Sequence, residues 1–196
     1  FQTCATGPSA PFDALNPRTA GRALPRGKIT PGFVTAFTLV SASALVFASA
    51  MLNPLAFKLS PLALAIVFFY SFTKRFTWLS HLFLGLALAC APIGAWIAVT
   101  GKVGLPSVVL GAAVLFWVAG FDILYAFMDI EFDRSTGLFS VPARLGITKG
   151  LAVAGGFHVL TISCLALLMP LARLGPIYGA GLILSGALLW YEHRLV

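Results

Sequence analysis

The chain has 196 residues, 59% of them apolar and 10% charged, with mean hydropathy +0.96 and a formal net charge of +7. A water-soluble globule of this composition would have too little polar surface to cover itself, so the sequence points to a bilayer as its solvent. The basic excess calls for no nucleic acid, because membrane proteins collect Lys and Arg on their cytoplasmic side.

Residues 1 to 11 (FQTCATGPSAP) are small, polar and Pro-containing. They lack the charged start and apolar core of a signal peptide and read as a disordered or foreign extension, leaving 12 to 196 as one transmembrane domain. The opening on Phe1 rather than Met reads as a fragment or processed product. Six apolar stretches follow, at 31 to 52, 54 to 71, 79 to 100, 105 to 126, 149 to 170 and 175 to 191. Each falls near the roughly 17–25 residues a helix needs to cross the hydrocarbon, and each is bounded by Pro, Gly, Asn or a charge. The expected fold is all-α, a polytopic transmembrane helix bundle. Cys4, Cys90 and Cys164 are scattered, with neither zinc nor disulfide spacing, and read as small packing residues.

Alternating spans sort the loops by side. Arg18, Arg22, Arg26 and Lys28 of the leader share one side with Lys74, Arg75, Arg134, Arg144, Lys149 and Arg194, which makes ten. The other side has three, Lys58, Lys102 and Arg173. This asymmetry places the basic side in the cytoplasm, and the expected location is the plasma (inner) membrane.

The acids need a separate reason. Of six in the chain, four (Asp122, Asp129, Glu131 and Asp133) fall within twelve positions at the cytoplasmic end of the fourth span. Carboxylates gathered near hydrocarbon repel one another and are costly to desolvate, so they point to function. At about 100° per residue, Asp122, Tyr125, Asp129 and Asp133 share one helix face, and Glu131 points away. Carboxylates at i and i+4 are near enough to share a cation, and hard oxygens suit Mg²⁺. The same spacing fits a solvated helix end neutralised by Arg134 and Lys149, or a proton relay.

Neighbouring loops on that side carry what a phosphorylated substrate requires. Asp13 lies in the leader FDALNPRTAGRALPRGK, and the second cytoplasmic loop reads Tyr70-Ser-Phe-Thr-Lys74-Arg75. Arginine forks and a lysine point charge bind diphosphate well.

These motifs resemble those of the UbiA-type intramembrane aromatic prenyltransferases, in particular the 4-hydroxybenzoate polyprenyltransferase-like members. FDILYAFMDIEFDRSTGLFSVPARLG is similar to that family's second acidic motif, with Asp129 and Asp133 at its D-x-x-x-D positions. Tyr70 to Arg75 resembles its Y-x-x-x-K-R loop, and Arg18-Thr-Ala-Gly-Arg22-Ala-Leu-Pro its R-T-x-x-R-P-L-P stretch. The resemblance runs from about residue 12 to the end. It implies a nine-helix bundle around a central cavity, of which this chain holds about six spans. The first acidic motif, N-D-x-x-D-x-x-x-D, departs from the pattern: it ends at Asp13, but Ala5, Thr6 and Ser9 stand where Asn, Asp and Asp are expected. This chain as given is therefore expected to be inactive, its parent being the competent enzyme.

The resemblance implies Mg²⁺ as cofactor, held by Asp13, Asp129 and Asp133. The substrates are a polyprenyl diphosphate and an aromatic acid such as 4-hydroxybenzoate, used in ubiquinone or menaquinone biosynthesis. Asp129, Asp133, Lys74 and Arg75 take the catalytic roles, while Arg18, Arg22, Tyr70, Asp122, Tyr125 and Arg134 bind substrate. The 135 to 146 segment reads as a long loop able to cover the cavity. The partners implied are the lipid bilayer and the two substrates, with no obligate protein partner. A naphthoate-type acceptor fits the same motifs, as does a non-catalytic membrane fragment. A transporter fits less well, because transporters set ionisable groups near the bilayer midplane, often at broken helices, rather than at a helix end.

Overall fold

The computed structural model describes residues 14–196. The long helices are α1 (Pro31–Leu52), α2 (Pro54–Thr73), α3 (Ser80–Thr100), α4 (Leu105–Ala126), α6 (Val141–Leu171) and α7 (Pro176–Leu195), with a short α5 (Ile130–Thr136) after a 3-10 turn over Phe127–Asp129. The starts follow from local chemistry. Thr30, Asn53 and Ser140 turn their side-chain oxygens onto the N–H groups of Phe33, Ala56 and Ala143. Pro31, Pro54, Pro106, Pro142 and Pro176 sit in the first turns, where a missing N–H costs nothing. Gly101 and Gly137 end α3 and α5 at φ 68° and 70°, a left-handed conformation that glycine adopts freely.

Burial is inverted relative to a water-soluble protein. Large apolar side chains point outward, Leu39 at 63% exposure, Phe47 at 69% and Val99 at 87%, whereas the interior holds small or polar residues such as Ala89, Ala113, Ala119, Ser107 and Thr161. A bundle solvated by lipid has this pattern, because helices gain nothing by hiding Leu from hydrocarbon and associate instead through close backbone approach. The chain is thus a polytopic transmembrane helix bundle. Among the described residues, five helical segments are long and apolar enough to cross a membrane: α1, α2, α3, Leu105–Thr136 and α6. The sixth expected span forms as α7, but its last turns carry Glu192, His193 and Arg194, and it stands outside those five.

Two other expectations change. The segment after Ser135 is no long loop: α5 runs to Thr136 and α6 begins at Val141, with a break at Gly146 (φ 80°) before the span proper. Ser140 and Pro142 supply the start signal that moves this helix eight residues earlier. The fourth span is also not one continuous helix down to Asp133, because the 3-10 turn resets its last stretch.

α4 lies at the centre, packed along α3 on one side and α6 on the other, with α2 and then α1 beyond α3, and α7 against α6. Glycines set the contact. A Cβ at Gly85 of α3 would overlap the Leu115 carbonyl of α4, and one at Gly120 of α4 would overlap the His158 ring of α6. At the far end Asn53 donates from Nδ2 to the carbonyls of Ile97 and Ala98 at 2.8 and 3.2 Å, tying the α1–α2 corner to the end of α3. His158, at mid-span, meets His193 of α7 at 2.9 Å between ring nitrogens.

Gly85→Ala should therefore lower thermal stability in detergent by about 1–3 kcal/mol through overpacking against backbone. Gly94→Ala, with nothing within 4 Å of its new Cβ, should leave the melting temperature unchanged or slightly raised.

Candidate active site at the charged end of the bundle

Asp129 closes the 3-10 turn after α4 and is 6% exposed. A carboxylate so placed needs compensation, and the leader supplies it. Arg18 pairs with both carboxylate oxygens, through Nε at 2.9 Å and through a second, shorter bond from its terminal nitrogen. Asn16 adds a third bond from Nδ2 at 3.0 Å, while its own side-chain oxygen accepts the Arg18 backbone N–H at 3.0 Å and so shapes the leader. The Arg18 guanidinium also donates to the Tyr125 hydroxyl at 2.6 Å and covers the Tyr125 ring at 4.6 Å. The hydrogen bond to Asp129 raises the Arg18 pKa against the lowering effect of its partial burial, so Arg18 stays cationic.

Asp133, one turn on, is 2% exposed. Its Oδ2 is buried without a hydrogen-bond partner and lies 3.6 Å from the Lys74 ammonium, which marks the end of α2. The Ser140 hydroxyl stands beside the same carboxylate. The Phe139 N–H donates to the Lys74 carbonyl at 2.8 Å, clamping the α5–α6 connection onto the α2–α3 connection.

Deeper along α4, Asp122 accepts from His81 Nδ1 at 2.7 Å, and His81 Nε2 accepts the Val141 backbone N–H at 3.2 Å. Tyr70 of α2 is within electrostatic reach of both Asp122 and Arg22. Two leader cations, the end of α2, the start of α3, the end of α4 and the start of α6 therefore meet at one end of the bundle.

Of the residues singled out from sequence, Arg18, Tyr125 and Asp129 form one contact group and Lys74 and Asp133 a second, while Arg22 and Asp122 act on Tyr70 through their charges. Glu131 is exposed and turned away, as its helical phase requires. Arg134 is exposed and donates to the Ala143 carbonyl at 3.0 Å, which holds the start of α6. The Arg75 guanidinium lies 5.6 Å from the Phe72 ring. Asp13 lies outside the described residues, and among those described no three His, Cys, Asp or Glu side chains converge as a metal cage. The fit to Mg²⁺ is thus that of a cation brought by its substrate. Asp133 offers a hard, unpartnered oxygen, whereas both Asp129 oxygens are engaged by Arg18 and Asn16. Sequence reasoning passed over Asn16, Ser140 and His81. Asn16 stood in the quoted leader and Ser140 opens a helix with the Ser-x-Pro pattern of a cap. His81 had no local signal, since its partner is 41 residues away.

The model of the UbiA prenyltransferase family matches residues 9–196. The 4-hydroxybenzoate octaprenyltransferase of Vibrio campbellii is 33% identical over 181 residues, 91% of this chain and 63% of that protein. That of Aeromonas hydrophila is 32% identical over 185 residues, 94% of this chain and 64% of its own. The chain thus spans less than two thirds of the length of these curated relatives. In three dimensions it is similar to the apo structure of a UbiA homolog from Aeropyrum pernix, with TM-score 0.92 and 33% identity over 99% of this chain and 74% of that one. A structure of digeranylgeranylglyceryl phosphate synthase shares the fold at TM-score 0.73 and 22% identity, over 98% and 68% of the two chains. With sequence and fold agreeing along nearly its whole length, the chain belongs to the UbiA prenyltransferase family.

Proposed function

We propose that this chain forms the diphosphate-binding side of an enzyme that moves a polyprenyl group from a polyprenyl diphosphate to an aromatic acid of the 4-hydroxybenzoate type, in quinone biosynthesis. The reaction takes place at the cytoplasmic face of the plasma (inner) membrane. The observation that carries this reading is the meeting of Arg18, Lys74, Asp129 and Asp133, from three separate segments, at one end of an otherwise apolar bundle. The names of the relatives favour the 4-hydroxybenzoate acceptor, and the ten-to-three distribution of Lys and Arg favours the cytoplasmic side.

The donor's tail partitions into lipid and its headgroup meets this end. Arg18 and Lys74 bind diphosphate oxygens and offset the negative charge that grows on the leaving oxygen, with Arg22 and Arg75 nearby as further cations. Asp129, Asp133 and Asp13 are the residues that would hold Mg²⁺. When bound, Mg²⁺ neutralises diphosphate charge and makes it a better leaving group. Tyr125 and Tyr70 present aromatic faces toward the allylic cation, and the apolar walls keep water from it.

Because Arg18 engages both oxygens of Asp129, cation and diphosphate would bind best together, with the guanidinium turning to the diphosphate and leaving the carboxylate for the metal. Arg18→Ala should tighten the binding of Mg²⁺ alone and weaken that of Mg²⁺ with geranyl diphosphate by about tenfold or more, both read by calorimetric titration. A variant that bound Mg²⁺ alone no better than wild type would refute this coupling.

In the complete protein, Asp129→Ala and Asp133→Ala should each lower Mg²⁺-dependent prenyl transfer to 4-hydroxybenzoate by about 10²-fold or more. Retention of near-full activity by either variant would remove that residue from the site.

A further inference from the structure

The charged end contains a buried group that the diphosphate chemistry leaves unused. His81 is 1% exposed, in the first turn of α3, and both ring nitrogens are engaged. Val141 donates its backbone N–H to Nε2, so Nε2 is the acceptor and the ring proton sits on Nδ1, which donates to Asp122 Oδ2 at 2.7 Å. The ring is therefore a directional bridge. One side reads the start of α6, and the other holds one oxygen of an α4 carboxylate.

Asp122 differs from the two carboxylates above it. Neither Arg18 nor Lys74 pairs with it, its side chain keeps 21% exposure, and among the described residues its Oδ1 carries no hydrogen bond. Tyr70 of α2 is its electrostatic neighbour. Seven residues before Asp129, it lies about 10 Å deeper along the helix axis, below the level of the diphosphate groups. A carboxylate held at that depth with one oxygen committed and one free is suited to accept a hydrogen bond from a hydroxyl. It is poorly suited to bind another anion.

We infer that His81 is a positioning residue for the aromatic acceptor, fixing Asp122 so that its free oxygen receives the acceptor's ring hydroxyl. This rests on the prenyltransferase reading above and adds to it a division of the site: the Arg18, Lys74, Asp129 and Asp133 group holds the donor, while the His81–Asp122 pair orients the acceptor. A phenol hydrogen-bonded to a carboxylate carries more electron density in its ring, where the carbon–carbon bond forms as the allylic C–O bond to diphosphate breaks, and the attacked ring carbon then gives up its proton to the departing diphosphate or to water. No proton need leave the hydroxyl for this. The carboxylate accepts the hydrogen bond, and the His81 Nδ1–H keeps it from rotating onto Tyr70 instead.

The test uses the complete protein in nanodiscs, with 4-hydroxybenzoate and Mg²⁺–geranyl diphosphate titrated separately by calorimetry. His81→Phe keeps the ring and its packing but removes both nitrogens, while His81→Gln restores a donor and an acceptor. His81→Phe should weaken 4-hydroxybenzoate binding, and raise its KM, by roughly tenfold or more, with geranyl diphosphate binding changed less than about twofold. His81→Gln should recover most of the loss. Unchanged acceptor binding in His81→Phe would overturn the inference, as would equal losses for both ligands, which would make His81 a general scaffold residue. If His81→Phe fails to fold, Asp122→Asn decides the matter: acceptor binding at the wild-type level would overturn the inference, and a selective acceptor loss would sustain it. Wild-type protein that bound neither ligand would instead defeat the prenyltransferase reading itself.

Discussion

The pairing of Asp129 with Arg18 is the constraint on which the charged end depends. A carboxylate at 6% exposure beside lipid-facing helices is stable only if its charge is met, since removing one partner of a buried pair costs several times what the pair contributes. Arg18 meets it with a two-pronged contact, and Asn16 takes part of the remaining capacity. That contact folds the leader back across the end of α4 and brings Arg22 toward Tyr70. Lys74 then serves Asp133 less closely, at 3.6 Å, and leaves one oxygen without a hydrogen bond. The two carboxylates are four residues apart in sequence, yet one is satisfied and the other is held in reserve.

Much of this was legible in the sequence because the bilayer imposes simple rules. Span positions follow from apolar length, and the starts of α1, α2 and α7 coincide with Pro31, Pro54 and Pro176 to within a residue. The one-sided Lys and Arg and the tight group of acids pointed to the same end. The illegible parts are those where local signals compete. The whole of 135 to 146 reads as loop, but only the stretch between Thr136 and Val141 is non-helical, because Gly137 stops one helix and Ser140 caps the next. Helical phase predicted a single face for Asp122, Tyr125, Asp129 and Asp133, and the 3-10 turn splits that face into separate contact groups.

Pairings across the bundle were beyond reach for a different reason. His81 with Asp122 and Asn16 with Asp129 join residues 41 and 113 positions apart. Nothing in the spacing of either sequence neighbourhood selects the other. Their logic is energetic: in a bundle with few polar side chains, each buried one must find a partner, and the partners available are few. Arg134 shows the converse. The resemblance implies a substrate contact for it, and in the structure its Nε donates to the Ala143 carbonyl, 9 positions away, at the start of α6.

The glycine seams also decide what can move. With Gly85 against the Leu115 backbone and Gly120 against the His158 ring, α3, α4 and α6 have no slack between them, and a shift of one helix against another would have to break contacts along its whole length. These three helices act as a stator. The leader is held to this block by the side chains of Asn16 and Arg18, whereas the Lys74 end of α2 and the turn at Phe139 are also tied to each other through the backbone. The exchange of partners proposed for Asp129 therefore asks only for a swing of one arginine side chain, without any rocking of the transmembrane helices.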